Sequence, residues 1–557
     1  MSVVLERRQR ALGANARLGA RTAVELTRPY WAQKRPSCNN ACPNANDMRA
    51  CLTTIAQHKS LGLTPEAAME KAWDTLTGTN PFPSVCGRVC PAMCRAECNR
   101  KERDEAVNIP AIERAIGDYG IENGLRHKRL TEECYTEKVA VIGSGPSGLS
   151  CAFQMARRGY LTTVFEASAK AGGMLRYGVP DYRLPPGPLD AEIEAILNLG
   201  VEMRYNTRVG VEVSLEELQR EYRAVYVAIG AGVGTRLNIA GEGMPNVLTG
   251  AAFLNGVNSG QKIDVGHRVV VIGGGNSAID AARVARRLRA DVTVYYRRTR
   301  QEMPAIAEGI AEAEEEGIHF EHLTAPIEIL HNGARATGVR LIRTKLVEAD
   351  ASGRARPEPI RGSEHEAQAD TVISAIGQQP DFAGLEQLRN KEGWISVDRK
   401  SQSALPGVFA GGDVTNRLGL VVEAIALGRR AAQSIDDYLR QLETKEAKPA
   451  PVIRPAKMKL GYYQALPQNT EPMLSAGERA NNFDVVTQPL ESPRVVDEAK
   501  RCMSCGLCFG CDMCFRSCPY RAIARAPKGG IKYQFGSYCV GCGICAEACP
   551  CGFVDTM

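Results

Sequence analysis

From Lys138 onward the chain alternates short apolar runs, each closed by glycine, with Ala-rich stretches of helical spacing. That order is the mark of βαβ units. It persists to about residue 440, where "ETKEAKPAPVIRP" reads as a Pro-bearing linker. Ahead of it, residues 38–130 carry helical patterning broken by the turn residues Thr77 to Ser84, "TGTNPFPS". Residues 1–35 are Arg-rich, with Glu6 and Glu25 as their only acids. No apolar stretch follows Arg7-Arg8, so a surface tail or short helix is expected there rather than a twin-arginine signal or transit peptide. No repeat of solenoid period occurs, but one large near-duplication does.

Length and charge refine this picture. At about 150 residues per domain, 557 residues make three or four domains, each with its own core. A hydrophobic share of 44% and a charged share of 24% suit a globular protein and exclude disorder, collagen and coiled coil. No run of 18 apolar residues exists, so no membrane span is expected. The net charge of +6 is supplied by residues 1–37, with eight Lys/Arg against two Asp/Glu. It therefore does not argue for nucleic acid.

Twenty cysteines are unevenly placed: seven lie in residues 38–98, eleven in 501–557, and only Cys134 and Cys151 between. A long chain without a secretory apolar region, with cysteines three or four apart, points to metal sites in a reducing compartment rather than disulfides. A cytoplasmic protein is expected.

The near-duplication carries the first chemistry. In "KVAVIGSGPSGLSCAFQMARRGYLTTVFEA" a strand ends at Ile142, Gly143, Gly145 and Gly148 turn into a helix, and a second strand ends at Glu166. Such glycines let the backbone approach a pyrophosphate at a helix N-terminus, and the acid can take ribose hydroxyls. In "RVVVIGGGNSAIDAARVARRLRADVTVYYRRTR" the equivalents are Gly273 and Gly275, with Asn276 next and Ala278 at the third place. Where the first copy has Glu166, the second has Arg297, then Arg298 and Arg300. Guanidinium groups grip a 2′-phosphate that an acid repels, which favours NADP over NAD; the alternative is a solvated basic turn.

A third element, "GVFAGGDVTNRLGLVVEAIALGRRAA", puts Gly411, Gly412 and Asp413 between a short strand and a helix. The acid suits a ribityl hydroxyl, and the helix N-terminus favours charge on a reduced flavin. The order of the three elements nests the nicotinamide domain inside the flavin domain, with Val225 to Gly232 and Val372 to Pro380 as crossover strands.

Over about residues 36–440 the chain resembles the small-subunit family of glutamate synthase, shared with the N-terminal half of dihydropyrimidine dehydrogenase and the large subunit of electron-bifurcating ferredoxin:NADP oxidoreductase. The match rests on "NPFPSVCGRVCPAMCRAEC", "VNIPAIERAIGDY", "GGMLRYGVPDYRLP", "YYRRTRQEMPA" and "GVFAGGDV". The resemblance implies FAD, with Gly173 and Arg176 among its contacts, and hydride transfer between nicotinamide and flavin. Such transfer needs no acid or base, so no catalytic side chain is assigned. It also implies two [4Fe–4S] clusters near the N-terminus. One takes Cys42, Cys90, Cys94 and, as a carboxylate ligand, Glu113. The other is left with Cys38 and Cys98, because the family's leading CxxC is missing before Cys38. Either that cluster is lost, or its ligands come from elsewhere.

The tail repeats CxxCxxCxxxCP, at Cys508, Cys511, Cys514, Cys518 and at Cys539, Cys542, Cys545, Cys549. In the two-cluster ferredoxin pattern the fourth cysteine of each run serves the other cluster. One cluster is then Cys508, Cys511, Cys514 and Cys549, the other Cys539, Cys542, Cys545 and Cys518; zinc is the alternative. Cys502 and Cys505 are surplus, and "DEAKRCMSCG" resembles the family's missing "A-x-R-C-x-x-C-G". They are therefore candidates to complete the Cys38 and Cys98 site, in one chain or across a dimer. Otherwise they are idle or hold a separate metal. Cys51, Cys134 and Cys151 read as buried small residues, "HFEH" (His319, His322) as surface histidines and "EAEEEG" (Glu312 to Gly317) as a solvated helix face.

The expectation is an α/β protein with two nested Rossmann-like dinucleotide-binding domains, an α-helical iron–sulfur domain before them and a bacterial ferredoxin-like domain after. The boundaries are a tail at 1–37, a helical [4Fe–4S] domain at 38–135, an FAD domain at 136–255 and 378–440, an NAD(P)H domain at 256–377, a linker at 441–500 and a two-cluster domain at 501–557. Hydride would pass between NAD(P)H and FAD, and single electrons through three or four [4Fe–4S] clusters to ferredoxin or to partner subunits, as in 2-oxoacid:acceptor oxidoreductases. A homodimer within a hetero-oligomer is compatible with this. The competing reading is a relay and docking subunit without NAD(P)H turnover.

Overall fold

The computed structural model describes residues 28–349, 355–415, 419–443, 448–526 and 533–556. Residues 1–27, most of the expected basic tail, lie outside them, as do 416–418 in the loop after the Gly-Gly-Asp.

The first sheet has five parallel strands, from edge to edge Val408–Ala410, Ala224–Val227, Lys138–Ile142, Leu161–Phe165 and Glu202–Arg204. Its central strands are buried apolar runs, as a sheet covered on both faces requires. The second sheet, taken from the opposite edge, has the equivalent arrangement: His319–His322, Asp291–Tyr296, Arg268–Ile272, Thr371–Ser374 and Val247–Thr249, again all parallel. Its last strand precedes the other four in sequence, so the second unit begins before the expected boundary at residue 256. Edge strand Val408–Ala410 of the first sheet follows the whole second sheet in sequence, so the second unit is inserted into the first.

A four-stranded antiparallel sheet, Thr324–His331, Ala336–Ala349, Ala355–Pro359 and His365–Gln368, was not anticipated. Its Ile329, Val339 and Leu341 pack on Val270, Ile272 and Val372 and close one face of the second sheet. The acidic run is a second correction. Glu316 is buried and pairs with Arg283 (2.5 Å) and Arg287 (2.7 Å), because two interior guanidiniums need a counter-charge.

In the N-terminal domain, helices Pro83–Val89 and Ile109–Glu122 cross backbone to backbone. A Cβ on Gly87 would stand 2.3 Å from the Arg114 nitrogen, and one on Gly117 2.1 Å from that of Ser84. This crossing sets Glu113 beside the "CGRVC" turn. Among the smaller calls, Cys51 and Cys151 are buried as expected, whereas Cys134 is exposed at a helix-to-strand junction, next to Arg129.

Residues 448–500, read from composition as a linker, form a strap along this domain. Arg100 donates to the Gln464 carbonyl (2.7 Å), the Leu466 amide to Asp104 (3.0 Å) and the Asn108 amide to Glu498 (2.7 Å). Buried Arg100, Glu498 and Arg501 hold the strap in place, and each must be paired. The first and last described strands also meet. Strand Pro29–Trp31 pairs antiparallel with Val554–Thr556, and Trp31 stacks on Phe535 (4.4 Å) and Phe553 (5.5 Å).

Candidate functional site

The first glycine turn and the helix start that follows the second line one cleft of about 550 Å³. At the first, a Cβ on Gly148 would lie 1.9 Å from the Gly143 carbonyl oxygen, so helix Pro146–Arg157 sits directly on the strand end. Gly145 faces open space, and Gly173 packs on it, its would-be Cβ 2.8 Å from the Gly145 Cα. The result is a bare backbone cradle at a helix N-terminus, which suits a pyrophosphate. Glu166 lines the cleft and accepts from the Ser144 amide (2.9 Å) and the Ser168 amide (2.7 Å). Gly412, packed on Ser147 at the start of that helix, and Asp413 also line the cleft, and burial pushes the Asp413 carboxyl up to about 6. Arg176 departs from expectation. Its guanidinium is tied to the Ala171 carbonyl and to Asp190, so it braces the loop instead of lining the cleft.

From the second turn Asn276, Ser277 and Asp280 reach the same cleft. Asn276 accepts from the Ile306 amide (2.9 Å), and Arg183 of the first unit donates to both oxygens of Asp280 (2.8 and 2.7 Å). Gly273 leaves room for the Ala375 carbonyl, Gly275 faces open space, and Ala278 is fully buried in the third place. The basic turn is narrower than its sequence suggests. Arg297 is exposed, but Arg298 is buried and donates to the Ala355 carbonyl (2.8 Å), and Arg300 pairs with Glu314. The antiparallel sheet supplies Ala355, which is why sequence alone did not separate the two neighbours. Only Arg297 of this pair is left free to meet a phosphate from solvent.

Beside the cleft the structure brings Cys42, Cys90, Cys94 and Glu113 together. Burial and then the Glu113 carboxylate raise all three thiols, Cys90 to about 12. Glu113 is itself pushed up to about 7 by burial, against the Asn80 (3.0 Å) and Asn46 (3.2 Å) amides that donate to it. Three thiols and a carboxylate whose charges bear on one another are the kind of donor set a [4Fe–4S] core takes. Val89 and Pro91, on either side of Cys90, form part of the wall of the nucleotide cleft. From the first unit's long helix Val421–Arg440, Arg429 donates to Asn44 (2.9 Å), two residues from Cys42.

In the tail, the charges of Cys508 and Cys549 bear on both Cys511 and Cys514, and Cys518 lines one cavity with Cys539, Cys542 and Cys545. Both groups contain the exchanged fourth cysteine, and four thiols each fit a cubane. Cys38, Cys98, Cys502 and Cys505 line a further cavity. Cys551, which sequence reasoning left unassigned, lies 3.8 Å from Cys549, sulfur to sulfur. Among the described residues no helix is long and apolar enough to cross a membrane.

Residues 137–428 match the family model of pyridine nucleotide-disulphide oxidoreductases, residues 21–125 that of dihydropyrimidine dehydrogenase domain II with a 4Fe-4S cluster, and residues 507–553 that of the 4Fe-4S dicluster domain. The chain is 37% identical over 505 residues to the NADP(+)-dependent formate dehydrogenase subunit beta of Moorella thermoacetica, covering 84% of this chain and 70% of that one. It is 34% identical over 510 residues to the NADPH-Fe(3+) oxidoreductase subunit beta of Geobacter sulfurreducens, covering 84% and 75%. With the glutamate synthase [NADPH] small chain of Escherichia coli it shares 36% over 405 residues, covering 68% and 85%. Among solved structures, FprA of Mycobacterium tuberculosis in complex with NADPH has the same nested fold over 55% of this chain and 85% of its own, with a TM-score of 0.50 at 20% identity.

Proposed function

The chain belongs to the pyridine nucleotide-disulphide oxidoreductase family, with the glutamate synthase small chain among its relatives, and from that premise we propose that it exchanges hydride with NADPH and single electrons with a ferredoxin-type acceptor or a partner subunit in the cytoplasm. It is an oxidoreductase subunit whose cofactors are FAD, NADP and several [4Fe–4S] clusters. FAD, when bound, converts between two-electron exchange with nicotinamide and one-electron exchange with iron–sulfur centres. The balance is one NADPH and two oxidised acceptors giving NADP⁺, one proton and two reduced acceptors.

The chain's own residues supply binding and orientation. The Gly143–Gly148 turn and Glu166 would hold the FAD pyrophosphate and ribose, and Asp413 its ribityl chain. The Gly273–Ala278 turn and Arg297 would hold the NADPH phosphates. The Arg183 and Asp280 pair ties the first unit to the helix after the second turn, at the edge of the cleft.

One observation carries the reading: the Val89 and Pro91 flanks of Cys90 share a cleft with the first glycine turn and the helix start that follows the second. A metal-ligand loop walling a dinucleotide cleft supports direct electron exchange between them. The subunit identities of the relatives favour a partner that performs the substrate chemistry, such as formate oxidation in the Moorella enzyme. A diaphorase assay on the isolated chain tests the function. NADPH-dependent reduction of an artificial dye is expected, and a chain that binds NADPH but reduces no dye is a relay and docking subunit instead.

A further inference from the structure

Cys502 and Cys505 lie outside both matched iron–sulfur models, which end at residue 125 and begin at 507. Nothing in those models assigns them a role. The structure nevertheless packs them, half-buried, against the N-terminal domain. Helix Ser492–Lys500 packs Val495 and Ala499 into one core with Leu52, Cys98 and Ile109, and the chain leaves that helix straight into Cys502. Buried arginines fix the loop that follows. Arg100 donates to the Arg501 carbonyl (2.6 Å), Arg501 to the Glu105 carbonyl (2.7 Å), and Arg49 to the carbonyls of Cys505 and Lys34 (both 2.8 Å).

We propose that Cys38, Cys98, Cys502 and Cys505 of one chain hold a [4Fe–4S] cluster that joins the flavin-side cluster to the ferredoxin-like tail and fastens that tail to the N-terminal domain. The four line one cavity with Leu52 and Arg49. Four thiols lining one cavity, Cys98 buried and the other three half-buried, cannot ionise together without a cationic centre. A cubane with four thiolates carries a net charge of about −2; the Arg49 charge bears on Cys502, and those of Arg100 and Arg501, which also pair with Asp104 and Glu498, bear on Cys98.

Position argues for a relay. Cys38 and Cys42 lie one helical turn apart, the Cys42 amide donating to the Cys38 carbonyl (3.1 Å), and Cys94 and Cys98 repeat that spacing. On the other side Cys505 is three residues from Cys508, and the Gly506 amide donates to the Cys551 carbonyl (2.7 Å). Tyr463 stands between, under the charges of Cys502 and Cys505 on one side and Cys549 and Cys551 on the other. The site thus lies between the Cys42 group and the Cys549 group. Its relay role rests on the function proposed above; its existence does not.

Serine at both Cys502 and Cys505 tests the site, with anaerobic iron analysis and electron paramagnetic resonance of the reduced holoprotein. Loss of about four iron atoms per chain, with FAD content and the tail cluster signals retained, is expected. Cys38→Ser should lose the same irons, and the triple variant no more than either parent, which separates a shared cluster from a misfolded tail. Unchanged iron, additive losses, or one zinc per wild-type chain would overturn the cluster. Rapid mixing of the double variant with NADPH tests the relay separately: flavin bleaching at the wild-type rate with tail reduction slowed at least tenfold is expected, and unslowed tail reduction overturns the relay. Failure of NADPH to bleach the wild-type flavin would instead count against the function proposed above.

Discussion

The two nucleotide units share a strand order and differ at the third glycine and at the tip of the second strand. At Gly148 the helix touches the strand end so closely that a methyl group has nowhere to go. At Ala278 the helix stands slightly further off, and the methyl fills buried space. The second strands end in Glu166, whose carboxylate is engaged by backbone amides inside the cleft, and in Arg297, exposed at its rim. On the function proposed above, the first unit would enclose a resident dinucleotide and the second would exchange one with solvent, the same topology serving both.

The largest expected effect separates the units by stability. Glu316→Ala removes the carboxylate that pairs with buried Arg287 and leaves Arg283 with Glu312 alone (2.8 Å), and should cost about 3–5 kcal/mol. Calorimetry should show the NADPH-binding unit melting first, with FAD still bound. Gly148→Ala is the mirror experiment. Overpacking of this kind costs about 1–3 kcal/mol, and the flavin-to-protein ratio should fall. Ala278→Gly should cost only about 0.5–1 kcal/mol and leave FAD content unchanged. Equal tolerance of a methyl group at both places would erase the comparison.

Arg297→Ala should weaken NADPH binding by about 1.5–3 kcal/mol, the range for a charge-assisted bond, and leave NADH binding unchanged in a fluorescence titration. Arg298→Ala should not discriminate between the nucleotides, since that guanidinium serves the Ala355 carbonyl. A further effect concerns pH. Asp413 titrates at about 6 in the fold against an ordinary value of about 3.9. The folded protein therefore holds this proton more tightly, a contribution present at low pH and lost as pH rises through 6. Thermal unfolding of flavin-free protein should show a decline of about 1–2 kcal/mol between pH 5 and 7, and Asp413→Asn should flatten it.

Much of this was legible because it is local. A strand, a glycine turn, a helix and a terminal acid or arginine fall within one stretch of chain, as do the CxxCxxCxxxCP runs. Asn332-Gly333 was a hairpin signal that went unread, and it turns the antiparallel sheet, Gly333 taking a φ of +92°. The rest depended on partners far along the chain. Polarity suggested a solvated Glu316, but Arg283 and Arg287 lie on a separate helix. The 448–500 strap looked like a linker because its anchors, Arg100 and Asp104, belong to another domain. Arg176 and Arg298 look like ligand-binding cations until their carbonyl partners are seen. The Cys502 and Cys505 spacing suggested a partner for Cys38, while only the fold brings the four thiols to one cavity.

The central claim is that one cleft couples NADPH to FAD and its iron–sulfur wall passes the electrons on singly. Anaerobic mixing of the isolated holoprotein with NADPH, followed by flavin absorbance and by reduction of cytochrome c as a one-electron protein acceptor, tests it most directly. The account predicts flavin bleaching on mixing and about two cytochromes reduced per NADPH consumed, as the two electrons of a hydride require. A flavin that stays oxidised in the presence of bound NADPH would contradict it.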